Sequence, residues 1–279
     1  MTARPLLIAQ ISDLHIKPPG ELAYGRVDTA AALKRAVATL NRFAPRPDLV
    51  VITGDLADTP LAEEYEHVKT LLVPLQIPYA AIPGNHDRRA LMRDTLSHLG
   101  HAPGEGALNA TRAVGELDIL LIDSTVPGAH HGELDAATLR WLDDTLAASA
   151  TRPALLFMHH PPFVTGIGYM DRIRLRNADA LALLLQRHPR ARLVAAGHVH
   201  RAAQASFAGV SATICPAGEQ ACALDLSARW GEVFMREPPA FHLHAWFPGE
   251  GFGTLVTHLV PVGEVDGPYL FEGGDAVPA

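Results

Sequence analysis

Five short segments of this 279-residue chain carry side chains that could bind metal or move protons. They are Asp13-Leu14-His15, Gly54-Asp55, Gly84-Asn85-His86-Asp87, His159-His160-Pro161-Pro162 and Gly197-His198-Val199-His200. Taken singly, most of them are ordinary. Asp13-Leu14-His15 reads as a solvated turn, Gly54-Asp55 as a turn that both residue types favour, and His159 fits a core position as well as a ligand position. Gly197-His198-Val199-His200 favours metal by itself, because alternate residues leaving a strand can face a common point. Together the segments offer carboxylate, imidazole and amide oxygen without thiolate. Such a mixture of hard and borderline donors suits Mn, Fe, Zn or Co better than Ca, and disfavours a structural zinc site.

The candidate donors are Asp13, His15, Asp55, Asn85, His159, His198 and His200. That set is too large for one small ion and about right for two. Asp55, standing alone after a glycine, is the candidate bridge between ions roughly 3.5–4 Å apart. A pair of ions of this kind supports in-line displacement at phosphorus, with attack by a metal-bound hydroxide and neutralisation of the phosphoryl oxygens. His86, next to the donor Asn85, could protonate the leaving alkoxide. Asp87 could orient a neighbouring histidine from behind, and Asp123 could do the same or cap a turn.

For residues so far apart in sequence to meet, the chain must deliver them at the ends of strands. Each segment does follow an apolar run: Leu6–Ile11, Asp48–Thr53, Pro78–Pro83, Ala154–Met158 and Arg192–Ala196 read as buried strands. Between them the pattern predicts five helices. The first is capped by Asp28 and runs to about Phe43, the second opens at Thr59-Pro60 with Glu63 and Glu64 in its first turn, and the third runs from Arg88 to about Leu99. Asp135 caps a fourth ending near Ala147, and the fifth covers about Asn177–His188. Strand–helix alternation of this kind implies a mostly parallel sheet with functional groups at the carboxyl ends of its strands.

A hairpin around Gly115-Glu116, joining Ala107–Val114 to Leu117–Asp123, interrupts the alternation. Beyond Arg201, short strands are expected at Ala202–Phe207, Cys222–Leu226, Phe241–Trp246 and Leu255–Leu259, all antiparallel and completing a second sheet. The fold class expected is α/β, an α+β sandwich: two mixed β-sheets packed face to face and flanked by helices. A catalytic domain over 1–208 would be followed by a C-terminal β extension over 209–279, whose end from Phe271 to Ala279 is expected to be loosely held.

Composition narrows the partners. Net charge is −7, from 23 basic and 30 acidic residues, which argues against long nucleic acid as a substrate. Cys215 and Cys222 are too few for a disulfide framework and read as buried thiols. The apolar run before Ser12 is too short for a signal-peptide core, and no stretch is long enough to span a membrane, so the expected location is cytoplasmic.

Asp-x-His, Gly-Asp, Gly-Asn-His-Asp, His-x-Pro and Gly-His-x-His, in this order, resemble the motifs of the calcineurin-like metallophosphoesterase superfamily. The resemblance implies that Asp13, His15, Asp55 and His200 hold one metal, that Asp55, Asn85, His159 and His198 hold the other, and that His86 is the free catalytic histidine. His160 would be a pocket wall. Glu21–Asp28, Met158–Pro162, Met170-Asp171 with Asn177, and Gly267–Leu270 are similar to the bacterial glycerophosphodiesterase and class III cyclic-nucleotide phosphodiesterase subgroup. That likeness implies a phosphoric diester hydrolase acting on small phosphodiesters, glycerophosphodiesters first and 3′,5′-cyclic nucleotides as the alternative. It also implies two metal ions per subunit, a homo-oligomer, and a substrate pocket touching Tyr24, Asn85, His86 and His160. One departure stands out: the subgroup usually has His-Gln after the proline where this chain has Glu219-Gln220, which would put an anion beside the substrate phosphate. A reading from another class, an inactive metal-bound scaffold, conflicts with the completeness of the donor set. Arg88, Arg89 and Arg93 could face substrate but read as a solvated helix face, and the loop Gly128–Glu133 with His130 and His131 reads as exposed.

Overall fold

The computed structural model describes residues 4–101, 104–149, 151–249 and 253–271. Three parallel strands, β1 (Leu6–Ile11), β2 (Leu49–Thr53) and β3 (Tyr79–Ile82), form the heart of one sheet. Helices α1 (Thr29–Arg42), α2 (Ala62–Leu72) and α3 (Arg89–Thr95) cover its outer face. α1 begins where expected, because the Asp28 carboxylate accepts from the Ala31 N–H. α2 begins at Ala62 rather than at Thr59-Pro60: the Thr59 N–H is drawn to the Glu64 carboxylate at 2.8 Å, which holds Thr59 outside the helix.

The second sheet opens with the expected hairpin of β4 (Ala110–Val114) and β5 (Leu117–Ile122). Its parallel centre is β5, β6 (Ala154–Met158), β7 (Ala191–Ala196) and, following the antiparallel edge strand β8 (Ala203–Phe207) in the chain but lying between β7 and β8 in the sheet, β9 (Val210–Ile214). Helices α4 (Ala136–Ala147), α5 (Gly168–Arg172) and α6 (Ala178–Arg187) pack outside it. A small ribbon of β10 (Gln220–Cys222) and β11 (Phe234–Arg236) stands apart.

The last strands correct an expectation. β12 (Ala240–Phe247) and β13 (Thr254–Pro261) do not complete the second sheet; they extend the first, in the order β13-β12-β1-β2-β3. β12 pairs antiparallel with β1 and satisfies main-chain groups that would otherwise form a bare sheet edge. Its side chains divide accordingly. Phe241, Leu243 and Ala245 join the core beneath α1 and α2, and Trp246 joins the core between the sheets. Among the described residues of the region 209–279, only β9 joins the second sheet, through a hairpin with β8. Cys222–Leu226 is strand only at Cys222, and residues 272–279 of the tail lie outside the described residues.

Three apolar cores result: one under each helix layer and one between the sheets, where Ile8, Val51, Ile82, Leu155, Phe157 and Leu193 meet. At about 25 cal/mol per Å2 of apolar surface, this burial is the main force holding the sheets in register. The carboxyl ends of β1, β2, β3, β6 and β7 thereby come to the same end of the molecule.

Candidate metal centre

The side chains at those five strand ends converge. His15 Nε2 lies 3.1 Å from His200 Nε2 and 3.5 Å from Asp55 Oδ2, and His200 Nε2 lies 3.4 Å from Asp13 Oδ1. On the other side of Asp55, the same Oδ2 is 3.4 Å from His159 Nε2, which is itself 3.1 Å from Asn85 Oδ1 and 3.2 Å from His198 Nδ1. One carboxylate oxygen thus stands between two groups of donors. Asp13, Asp55, His15, His159 and His198 are all buried.

Local backbone geometry produces this convergence. Asp13, His15, Asp55, His198 and His200 all have positive φ, between 44° and 73°, a region that non-glycine residues seldom occupy. Such strain turns each side chain back toward the strand ends and is held only because the surroundings over-determine it. Glycine allows the close approach. A Cβ on Gly84 would stand 2.2 Å from Asp55 Oδ1 and 2.7 Å from His159 Cε1.

Hydrogen bonds behind the cluster fix which nitrogen of each ring faces inward. His15 Nδ1 is 3.0 Å from the Asp58 carboxylate, His200 Nδ1 is 2.9 Å from the Gln220 carbonyl, and His159 Nδ1 is 2.8 Å from the Thr53 carbonyl. Each acceptor requires an N–H at Nδ1, so in the neutral form of all three rings Nε2 carries the lone pair. The His15 and His200 lone pairs face one another at 3.1 Å. His198 Nε2 is buried without a hydrogen-bond partner among the described residues. An inward-facing set made almost wholly of acceptors, with two carboxylates buried among four imidazoles, is stable only around positive charge. A divalent metal centre fits that requirement and the donor chemistry.

The titration behaviour expresses the same demand. Burial alone would raise the Asp55 carboxyl, yet the surrounding His159, His86 and His15 hold it well below the carboxylate range. Burial opposes charge on His159 too, but Asp55 and Asp13 push it up to about 9. His198 is driven well down by burial and by its neighbours His160 and His159.

His86 is not part of either donor group, although with His15 and Asp58 it forms a third cluster close enough to hold an ion. Its Nδ1 is 2.8 Å from the Asp58 carbonyl, and its ring packs edge-on against His15 with centroids 4.7 Å apart. Burial works to lower its pKa, and the Asp55 carboxylate and the Asp58 carbonyl outweigh that and raise it. Its main-chain N–H donates to Asp55 Oδ1 at 2.8 Å. Among the described residues, Asp87 makes no hydrogen bond to a histidine. Its carboxylate receives the N–H groups of Leu56, Ala57 and Gly84 and the Tyr65 hydroxyl, so it ties the β2 and β3 loops together. Asp123 takes both a bidentate contact from Arg89 and the Leu108 and Thr125 N–H groups, a structural clamp.

Of the expected pocket residues, Tyr24 stands 5.9 Å from the His15 ring and against Phe234. Burial and the Asp58, Asp55 and Asp13 charges push its phenol pKa up, so it stays a proton donor. His160 is completely buried, with Nδ1 on the Ser124 hydroxyl and Nε2 on the His130 carbonyl, although it also groups with His159 and His198. Glu219 is held by Arg35 and Arg236, which neutralise its charge. His130 is exposed at the rim, its Nδ1 3.4 Å from the Asn85 amide nitrogen.

Asp58 went unremarked in the sequence. Its side chain orients His15 while its carbonyl orients His86, and Lys17 stands 3.3 Å from its other oxygen. The signal was a third carboxylate three residues after Asp55, in the same strand-end loop.

Residues 6–202 match the calcineurin-like phosphoesterase family model, and the chain belongs to that family. Among its relatives, it is 33% identical over 267 residues to a probable glycerophosphodiester phosphodiesterase GpdQ of Arcobacter nitrofigilis, covering 95% of this chain and 97% of that protein. It is also 33% identical over 195 residues to the 3′,5′-cyclic adenosine monophosphate phosphodiesterase CpdA of Escherichia coli K12, covering 70% of this chain and 69% of that one. The fold is shared with a dimetal phosphatase from Danio rerio, with a TM-score of 0.67 at 15% identity over 94% of this chain and 100% of the other.

Proposed function

We propose that this protein is a binuclear metal-dependent phosphodiesterase that hydrolyses small phosphodiesters, glycerophosphodiesters first. The observation that carries the reading is the convergence of acceptor atoms on both sides of Asp55 Oδ2. Asp13, His15, Asp55 and His200 would hold one ion, and Asp55, Asn85, His159 and His198 the other. When bound, two such ions acidify water and neutralise the non-bridging phosphoryl oxygens.

The protein's own groups do the rest. Asp58, Gln220 and Thr53 lock the ring orientations of His15, His200 and His159. Because the Asp58 carbonyl takes the Nδ1 proton of His86, Nε2 is the atom left to hand a proton to the leaving alkoxide. Tyr24 and the buried His160 would shape the wall of the pocket, and Glu219 is paired with Arg35 and Arg236 rather than left as a free anion.

Near-full-length likeness to a probable glycerophosphodiesterase supports the first substrate class, and likeness to CpdA supports 3′,5′-cyclic nucleotides as the second reading. The same proposal takes the chain to be cytoplasmic, in keeping with the free, buried Cys215 and Cys222. It also takes the chain to be a homo-oligomer built partly through its C-terminal strands. No helix among the described residues is long and apolar enough to cross a membrane. A panel of glycerophosphoethanolamine, cyclic AMP and a phosphomonoester, each assayed with Mn, Zn, Fe and Co, tests the reading. Metal-dependent hydrolysis of the glycerophosphodiester above the others supports it; hydrolysis of the monoester alone overturns it.

A further inference from the structure

Beside the metal centre, the protein opens into a cleft of about 880 Å3. Gly84 and Asn85 form one end, α3 one wall, and Thr125–Gly128 the other. Three arginines line it, and two of them are committed to the protein. Arg89 donates to both oxygens of Asp123 and to the Thr125 carbonyl, and Arg93 donates to the Gly106 carbonyl. Arg88 is different. Its side chain is exposed and, among the described residues, makes no hydrogen bond or ion pair.

Its base, in contrast, is fixed. The Arg88 N–H donates to the Tyr65 hydroxyl at 2.8 Å, and that hydroxyl donates to Asp87 Oδ1 at 2.9 Å. Asp87 in turn gathers the main chain on either side of Asp55 and Asn85. A cationic fork is therefore mounted on the same rigid scaffold as the metal donors, three residues from Asn85, with nothing in the protein to bind. The anions of the cleft do not compete at that end. The Asp87 carboxylate is consumed by four donors, and Asp94 and Glu105 lie toward the far end of α3, near the segment that Arg93 grips.

We propose that Arg88 is a specificity-determining residue that binds a second anionic group, carboxylate or phosphoryl, carried on the alcohol portion of the phosphodiester. The inference rests on the phosphodiesterase reading above and adds to it a preference, among small diesters, for those with an additional negative charge. Arginine suits the task because its planar fork matches either anion with paired hydrogen bonds.

Two measurements on the metal-loaded, full-length protein test it. The first compares hydrolysis of 2-carboxyethyl p-nitrophenyl phosphate with that of propyl p-nitrophenyl phosphate. Wild type prefers the carboxylated ester, and in Arg88→Gln the ratio of the two kcat/KM values falls about tenfold, through KM rather than kcat, as loss of a charge-assisted contact predicts. Arg88→Lys, which keeps the charge and loses the fork, retains part of the preference. The second measures calorimetric binding of 3-phosphonopropionate, propane-1,3-bisphosphonate and propylphosphonate. The doubly anionic ligands bind wild type more tightly than propylphosphonate, Arg88→Gln erases the difference, and the tighter of the two identifies the preferred anion. A preference that survives Arg88→Gln in both measurements, or no preference in wild type, overturns the assignment of Arg88. Arg88-dependent binding without hydrolysis of either ester upholds the subsite and refutes the phosphodiesterase reading instead.

Discussion

Replacing Gly84 by alanine adds one methyl group at the point where the β2 and β3 loops touch. The new Cβ would stand 2.2 Å from Asp55 Oδ1, 2.5 Å from the Asp55 main-chain nitrogen and 2.7 Å from His159 Cε1. Ordinary contacts between such atoms begin near 3.5 Å, so the overlap approaches an ångström or more at each. Rotating the Asp55 side chain cannot relieve it, because one of the clashing atoms is backbone. The β2 loop must withdraw, and Asp55 and His159 must separate. Overpacking of this sort costs about 1–3 kcal/mol, which for a domain of this size lowers Tm by roughly 2–10 °C. The protein stays folded at 25 °C, while metal affinity falls by at least about tenfold to a hundredfold, the range seen when the support of a ligand is disturbed. Thermal unfolding and calorimetric titration with Mn2+ read the two effects separately. Gly168→Ala is the control, since a Cβ there meets nothing within 4 Å. A folded Gly84→Ala protein that binds metal with wild-type affinity would refute the close-approach argument.

Two further predictions concern particular histidines. His86→Ala retains both metals and loses turnover, most for poor leaving groups, whereas Asn85→Ala weakens one metal; metal content and leaving-group dependence, measured on both variants, distinguish these roles, and equal metal loss in the two contradicts them. His242 is buried between the sheets, and burial lowers its pKa to about 4 from the ordinary 6.5. The unfolded chain therefore takes up this proton first as pH falls, so stability declines between about pH 6.5 and 4 by up to about 1.4 kcal/mol per unit. His242→Phe flattens that part of the pH–stability curve in denaturant unfolding, and an unchanged slope would show that His242 does not set it.

The strand ends and their polar residues could be read from the sequence because each donor segment follows an apolar run and begins a loop. The caps of α1 and α4 were legible for the same local reason: Asp28 and Asp135 each accept from an N–H three residues on. What the sequence withheld depends on partners distant in the chain. Whether β12 joins β1 or the second sheet is decided by main-chain groups on β1 that need a neighbour, and no residue type announces that. The strand Val210–Ile214 was missed because Ser211 and Thr213 interrupt its apolar run, and Phe234–Arg236 because three residues carry too little periodicity. The carbonyls of Thr53 and Gln220 orient two ligand rings and that of Asp58 orients His86, yet backbone acceptors have no sequence signature. Likewise, the positive φ angles at Asp13, His15, Asp55, His198 and His200 become visible only in the folded chain.

The account depends most on Asp55 standing between two ions. Purified protein, stripped of metal and titrated with Mn2+, gives the number of ions per chain by elemental analysis and their affinities by calorimetry. Two ions in wild type, with both affinities weakened in Asp55→Ala, is the predicted result. A single ion in wild type, or an Asp55→Ala protein that loses only one of two ions and keeps the other at full affinity, would contradict the bridging role.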